Sequence, residues 1–290
     1  MLLLLLVSIG MSWFATKMRA ARRQRDAAAA IGKSGGWVAY YRESDEAIPS
    51  YTQPLPGPLW LRRLLGDDFF ATVTDAFVTS DGDFKYLEQL DQLKQLRCGL
   101  DVTEAGLAHL KDLRQLRKLD LMGRRVAGVE FEHVAVLTQL EDLNLGGTDA
   151  GDAELERLQA MTRLRALGLA GTRITDAGLR YLEGLTRLET LSLSKTHIGN
   201  AGVEHLRGLA RLRVLGLVET RITDAAIECL VGLKQLRFLE LQGTNVSTEG
   251  VMTLDRALPG SDVRCSVPRT WELRKAQPGE SSTSDLFGCP

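Results

Sequence analysis

The sequence predicts an α/β solenoid, in which one short strand and one short helix recur along the chain. Three observations predict it. Leu-x-x-Leu-x-Leu opens at Leu116, Leu140, Leu164, Leu188, Leu212 and Leu236, a constant step of 24 residues, and a fixed step in that range marks a stacked repeat. Each unit changes period part-way. Leu167 and Leu169 alternate as in a strand, whereas Leu179, Leu182 and Leu185 lie three apart, as on one face of a short helix or 3₁₀ turn. Thr175-Asp176 heads that second half as a helix N-cap signal, and Thr103, Thr223-Asp224 and Thr248 recur there, with Asn200 in one unit. The recurrent Asp reads as a cap and not as a catalytic acid.

A chain of 290 residues would admit one or two globular domains, but a solenoid grows in one dimension and needs no single central core. Apolar residues at 44% and charged residues at 25% are ordinary for a folded region. With 36 basic against 37 acidic residues nothing global argues for nucleic acid, and the lack of an aromatic–basic ladder on the strands speaks against single strands, so no nucleic-acid partner is expected. Cys98, Cys229, Cys265 and Cys289 form no Cys-x-x-Cys pair, so neither a zinc site nor a disulfide framework is signalled. Cys98 and Cys265 occupy slots where other units carry inward aliphatics and read as small buried hydrophobes. His109, His133, His197 and His205 fall on different units without metal spacing, and no Gly-x-Ser-x-Gly elbow is present. The expectation is a protein that is not an enzyme, with no catalytic, metal or cofactor-binding residues.

From the N-terminus, residues 1–16 carry no charge, and Lys17, Arg19, Arg22, Arg23 and Arg25 follow at once. The apolar run sits at the lower limit for a spanning helix. It reads as a single-pass transmembrane or signal-anchor segment, with the basic cluster on the cytoplasmic side. A cleaved signal peptide with export is the alternative, since Ser8-Ile9-Gly10 offers small residues. Residues 17–35 read as a basic juxtamembrane helix and linker, facing head groups or solvent. Gly32-Lys33-Ser34 is no phosphate loop, because Ala27 stands where a glycine is required. Residues 36–66 read as a proline-containing tether and N-terminal cap. Trp37–Tyr41 forms an edge strand, Pro49, Pro54, Pro56 and Pro58 break regular structure, and Trp60–Leu65 makes a helical turn.

The repeat domain spans 67–265 in about eight coils. The first is degenerate, with Val73, Asp75 and Phe77 on its strand and Phe84, Leu87, Leu90 and Leu93 on its helix side. Thr148, Thr172, Thr196, Thr220 and Thr244 follow the strands, where a hydroxyl stacked coil upon coil can satisfy buried backbone groups. Arg124 replaces that threonine in the third coil. An arginine cannot be buried there without a partner, so that turn is expected to bulge outward. Val263-x-Cys265 can add a closing strand, and residues 266–290, with Ser281–Ser284, read as a flexible tail.

The whole pattern, Leu-x-x-Leu-x-Leu-x-x-Thr-x-Ile-Thr-Asp-x-Gly-Leu, resembles a leucine-rich repeat. Ile174–Leu179 is similar to the class in which helices line the outer face. It resembles the repeats of F-box-type adaptors, with Thr where Cys or Asn is usual, but no F-box-like segment accompanies it. The apolar leader and Trp-containing cap resemble bacterial, planctomycete-type membrane-anchored proteins of this kind. The resemblance implies a horseshoe with parallel strands on the concave side and helices on the convex side. The bend also follows from spacing, since strands stack at about 4.8 Å and helices at nearer 10 Å. The concave strand positions are then the candidate partner-binding residues: Lys118 and Asp120, Asp142 and Asn144, then Thr190, Ser192 and Ser194, then Val214 and Val218, then Phe238, Glu240 and Gln242. Ala166, Gly168 and Ala170 leave the middle small and flat. Arg173, His197 and Arg221 form a weakly basic ridge beside it. The expected function is a noncatalytic, monomeric protein-binding module tethered to a membrane. A spacer role with no specific concave ligand, or a secreted binding protein if the leader is cleaved, are the alternatives.

Overall fold

The computed structural model describes residues 2–41, 59–126, 128 and 130–266. The tether at 42–58, the tail from 267 onward and Cys289 lie outside those residues. Among the described residues ten strands form one sheet in chain order. Strand β1 (Trp37–Tyr41) runs antiparallel to β2 (Thr72–Ser80). Parallel partners follow: β3 (Gln95–Asp101), β4 (Lys118–Asp120), β5 (Asp142–Asn144), β6 (Ala166–Gly168), β7 (Thr190–Ser192), β8 (Val214–Gly216), β9 (Phe238–Leu241) and β10 (Asp262–Cys265). Parallel neighbours require a crossover, and short helices supply it. These include α3 (Phe84–Leu87), α4 (Glu104–Leu107), α5 (Glu130–Ala135), α6 (Asp152–Leu158), α7 (Asp176–Leu179), α8 (Asn200–Glu204), α9 (Ile227–Gly232) and α10 (Thr248–Ala257). Helices α1 (Leu2–Lys33) and α2 (Leu59–Leu65) precede them.

The 24-residue step becomes a spine. Leu96, Leu119, Leu143, Leu167, Leu191, Leu215, Leu239 and Val263 stand side by side across β3–β10, none more than 2% exposed. Full burial of each such side chain stabilises the stack by about 1.5–3 kcal/mol. The helix-side leucines Leu179, Leu182, Leu206 and Leu230 close the same core from the opposite side.

The turn threonines are buried, apart from the half-buried Thr244, but each acts within its own coil. Thr148, Thr172, Thr196, Thr220 and Thr244 Oγ1 donate to the carbonyl three residues back, at 2.6–2.7 Å. The residue before each threonine takes a left-handed conformation. Gly147, Gly171 and Gly243 do so without steric cost, while Lys195 and Glu219 adopt φ of 57° and 54° in the same slot.

Arg124 departs from expectation. It does not bulge outward but is buried at 7% exposure, and its Nη2 donates to the Cys98 carbonyl of the preceding coil at 3.2 Å. Its Nε has no hydrogen-bond partner, and burial lowers the guanidinium pKa. The neighbouring carbonyl is the partner that no local rule supplies. Cys98 beside it is buried, and desolvation pushes its thiol up to about 12. Cys229 is buried too, its Sγ donating to Val203 O at 3.0 Å, whereas Cys265 is only half-buried.

The recurrent aspartates also take a different part. Ser80, Gly151, Thr175 and Thr223 occupy the caps, and Asp81, Asp152, Asp176 and Asp224 are the first helical residues. Each carboxylate reaches the next coil. Asp152 accepts from Thr175 N at 2.9 Å and Thr175 Oγ1 at 2.6 Å, Asp176 from Gly199 N at 2.6 Å, and Asp224 from Ser247 N at 2.7 Å. Asp81 holds Thr103 in the same way, and Asn200 does so for Thr223. The ladder satisfies cap donors that would otherwise be orphaned.

The N-terminal end is closed from an unexpected quarter. The basic stretch expected beside a membrane is the second half of α1, and it lies on the first coil. Ala21, Gln24, Ala27 and Ile31 form its buried stripe. Gln24 pairs with the strand backbone, donating Nε2 to Ala71 O and accepting from Val73 N with Oε1, both at 2.9 Å. One amide side chain thus satisfies a donor of β2 and the carbonyl of the residue just before it. Ser34 then donates to Ile31 O and Asp83 Oδ1, fastening the helix end. Arg22 and Arg23 face solvent. Residues 2–16 belong to this same continuous helix. Among the described residues no helix is long and apolar enough to cross a membrane, so the spanning segment expected over 1–16 is not met there. Ser8, Gly10, Ser12 and Thr16 dilute the run, and Lys17 ends it.

The strand face as candidate functional site

The three-residue strands expose one face in register. Lys118, Asp142, Ala166, Thr190, Val214 and Phe238 make one row, and Asp120, Asn144, Gly168, Ser192, Gly216 and Glu240 the next. Every candidate named from the sequence on these strands therefore lies on one surface. Ser194, Val218 and Gln242 follow at the strand ends, where Val218 N donates to Ser194 Oγ at 3.1 Å.

The rows are not equally open. Ser192 is only 6% exposed and counts as buried, although the strand pattern marked it as surface. Its neighbours close over it at Gly216, whose missing side chain leaves room for the hydroxyls of Ser192 and Ser194. Gly168 is small for a similar reason, since a Cβ there would meet Asn144 Oδ1 at 2.6 Å. The flat middle is a packing requirement at these two positions.

The N-terminal end is hollow instead. A cavity of about 300 Å³ opens over β2–β5, lined among others by Trp37, Asp75, Arg97, Lys118, Asp120 and Asp142. Trp37 comes from the antiparallel edge strand, packs on Phe77 with ring centroids 6.1 Å apart and stays 42% exposed. Arg97 Nε pairs with Asp120 Oδ2 at 3.2 Å. Asp142 is half-buried and makes no ion pair among the described residues. Desolvation pushes its carboxyl pKa up, Lys118 opposes this, and Asp120 adds to it. Trp37, Asp75 and Arg97 were not among the candidate partner-binding residues, because those were read from the regular register that opens at Leu116.

On the opposite, helical side, Glu88, His109 and Asp112 converge, their donor atoms all within 4.8 Å of one another. No spacing rule could show this, since Glu88 and His109 belong to different coils. Arg173, His197 and Arg221 are all exposed along the turn beside the strand face, as the ridge requires.

A one-dimensional stack of strand–helix coils with an accessible strand face defines a repeat-protein binding scaffold. The chain carries leucine-rich repeats in its C-terminal half and stacks like a leucine-rich-repeat solenoid. The family described as leucine rich repeat matches residues 186–246. Among solved structures, internalin C2 of Listeria monocytogenes is similar over 69% of this chain and 82% of its own, at 25% identity and a TM-score of 0.55. A leucine-rich-repeat protein of Leptospira interrogans is similar over 62% of this chain and 50% of its own, at 20% identity and a TM-score of 0.49. No curated protein matches the sequence.

Proposed function

We propose that the protein is a noncatalytic binding scaffold that holds a protein segment along the strand face, with a lysine or arginine of the partner seated in the hollow between Trp37 and Asp142. Asp142 carries this reading. A desolvated carboxylate without an ion pair is costly, and an incoming cation relieves it. A tryptophan face beside it adds a cation–π contribution. Because the folded-state pKa is raised, the stability linked to this group is fully present below its unfolded-state value. It is lost as pH rises through the folded value. At neutral pH, Asp142→Asn therefore removes a strained charge and should leave melting unchanged or higher. The same substitution, and separately Val214→Arg, should abolish capture of a shared prey by the full chain. Prey that survives both substitutions at native melting would rule out the strand face and leave the spacer role.

We also propose that the first turns of α1 attach the solenoid to an anionic membrane surface. Ile9, Met11 and Trp13 are each more than half exposed, and Phe14 is 43% exposed. Lys17, Arg19, Arg22 and Arg23 follow without an intervening acid. Apolar and aromatic residues beside basic ones suit the interface of anionic lipid. In vesicle flotation the full chain should rise with phosphatidylserine-containing vesicles and Ile9→Asp/Trp13→Asp should not. A wild-type chain left at the bottom would refute the attachment.

A further inference from the structure

We propose that Glu88, His109 and Asp112 form a binding site for a divalent transition-metal ion, of the zinc class, on the outer seam between the first two coils. The donor set is one imidazole and two carboxylates, all exposed, from two different coils. His109 Nδ1 stands 3.6 Å from Glu88 Oε1, too far for a good hydrogen bond. That gap suits a shared ion, because two ligands at zinc distances and a tetrahedral angle lie about 3.4 Å apart. The imidazole is already oriented, stacked on buried Phe84 with centroids 6.3 Å apart and planes at 28°.

The chain holds its own comparison. His205 and Glu183 occupy the same places at a seam four further along, His205 two residues after Val203 as His109 is two after Leu107. There Nδ1 and Oε1 meet directly at 2.6 Å. The residue corresponding to Asp112 is Gly208, so no third donor exists. Where the third donor is missing the pair closes on itself, and where it is present the pair stands open. A surface hollow of about 430 Å³, lined by Glu88, Asp91 and Asp112, leaves space for the water ligands that would complete the shell. A nitrogen donor favours zinc, nickel or cobalt over magnesium and calcium, which prefer all-oxygen sites.

The test is titration of the reduced full chain with Zn²⁺ and Co²⁺, read by calorimetry, melting and the cobalt spectrum. The expected result is one bound equivalent and a raised Tm, both lost in His109→Ala and in Asp112→Asn and both kept in His205→Ala. Mg²⁺ should not reproduce the shift. The proposal is overturned by no zinc-dependent change, by retention of the site in His109→Ala, or by an equal effect of Mg²⁺. It is overturned equally by a thiolate charge-transfer band showing that cysteines hold the ion.

Discussion

Replacing Leu191 with alanine should lower the free energy of unfolding by about 2–5 kcal/mol, as large-to-small changes in tight cores do. The upper part of that range is expected here. Leu191 is fully buried, and in register it is flanked by Leu167 and Leu215, themselves 1% and 0% exposed. The backbones on both sides are tied by the parallel ladder, so the site cannot collapse around the lost atoms. In a solenoid, moreover, each coil is stabilised only by its neighbours. A cavity at the centre therefore weakens two interfaces and not one. Urea unfolding measures the loss. The slope should also fall if the stack parts into two cooperative blocks. Thr190→Ala, one residue away on the open face, should change stability by no more than about 0.5 kcal/mol. Equal, small effects at both positions would place Leu191 outside the spine.

Gly178→Ala should destabilise the protein by roughly 1–3 kcal/mol, the range of overpacking. Helix propensity argues the other way, since alanine in a helix is favoured over glycine by about 1 kcal/mol. The steric effect wins because a Cβ at Gly178 would sit against Asp152, with Cγ at 2.8 Å and Oδ1 nearer still. The carboxylate cannot withdraw without breaking its two bonds to Thr175. Gly106, Gly202 and Gly250 face Asp81, Asp176 and Asp224 in the same way. Where Asn200 stands in for the aspartate, the following coil carries Ala226 in place of the glycine. In an Asp152→Ala background the Oδ1 and Cγ contacts are gone and only the Cβ at 3.2 Å remains, so Gly178→Ala should cost markedly less. A double-mutant cycle would then show coupling of about 0.5–3 kcal/mol. Additive losses would mean that the glycine answers to some other constraint.

Much of the candidate strand face was readable from the sequence, because strand side chains alternate and the leucines mark which side is inward. Lys118, Asp142, Thr190, Val214 and Phe238 share a row for that reason alone. What the alternation could not tell was how open each position is. Ser192 is closed by neighbouring strands, while Asp142 faces a hollow that depends on Trp37 arriving from outside the repeats. Arg124 shows the same limit in the core. Burial of its charge needs an acceptor, and the acceptor belongs to the previous coil.

By itself the sequence determined the repeat length, the strand–helix alternation and the inward leucines, since these follow from periodicity along one chain. Only the tertiary structure decided what one coil does to the next: the Asp152–Thr175 and Asp176–Gly199 bonds, the pairing of Gln24 with β2, and the meeting of Glu88 with His109. Such contacts join residues about one coil or more apart. They depend on how the coils are offset when stacked, a quantity that side-chain period does not encode.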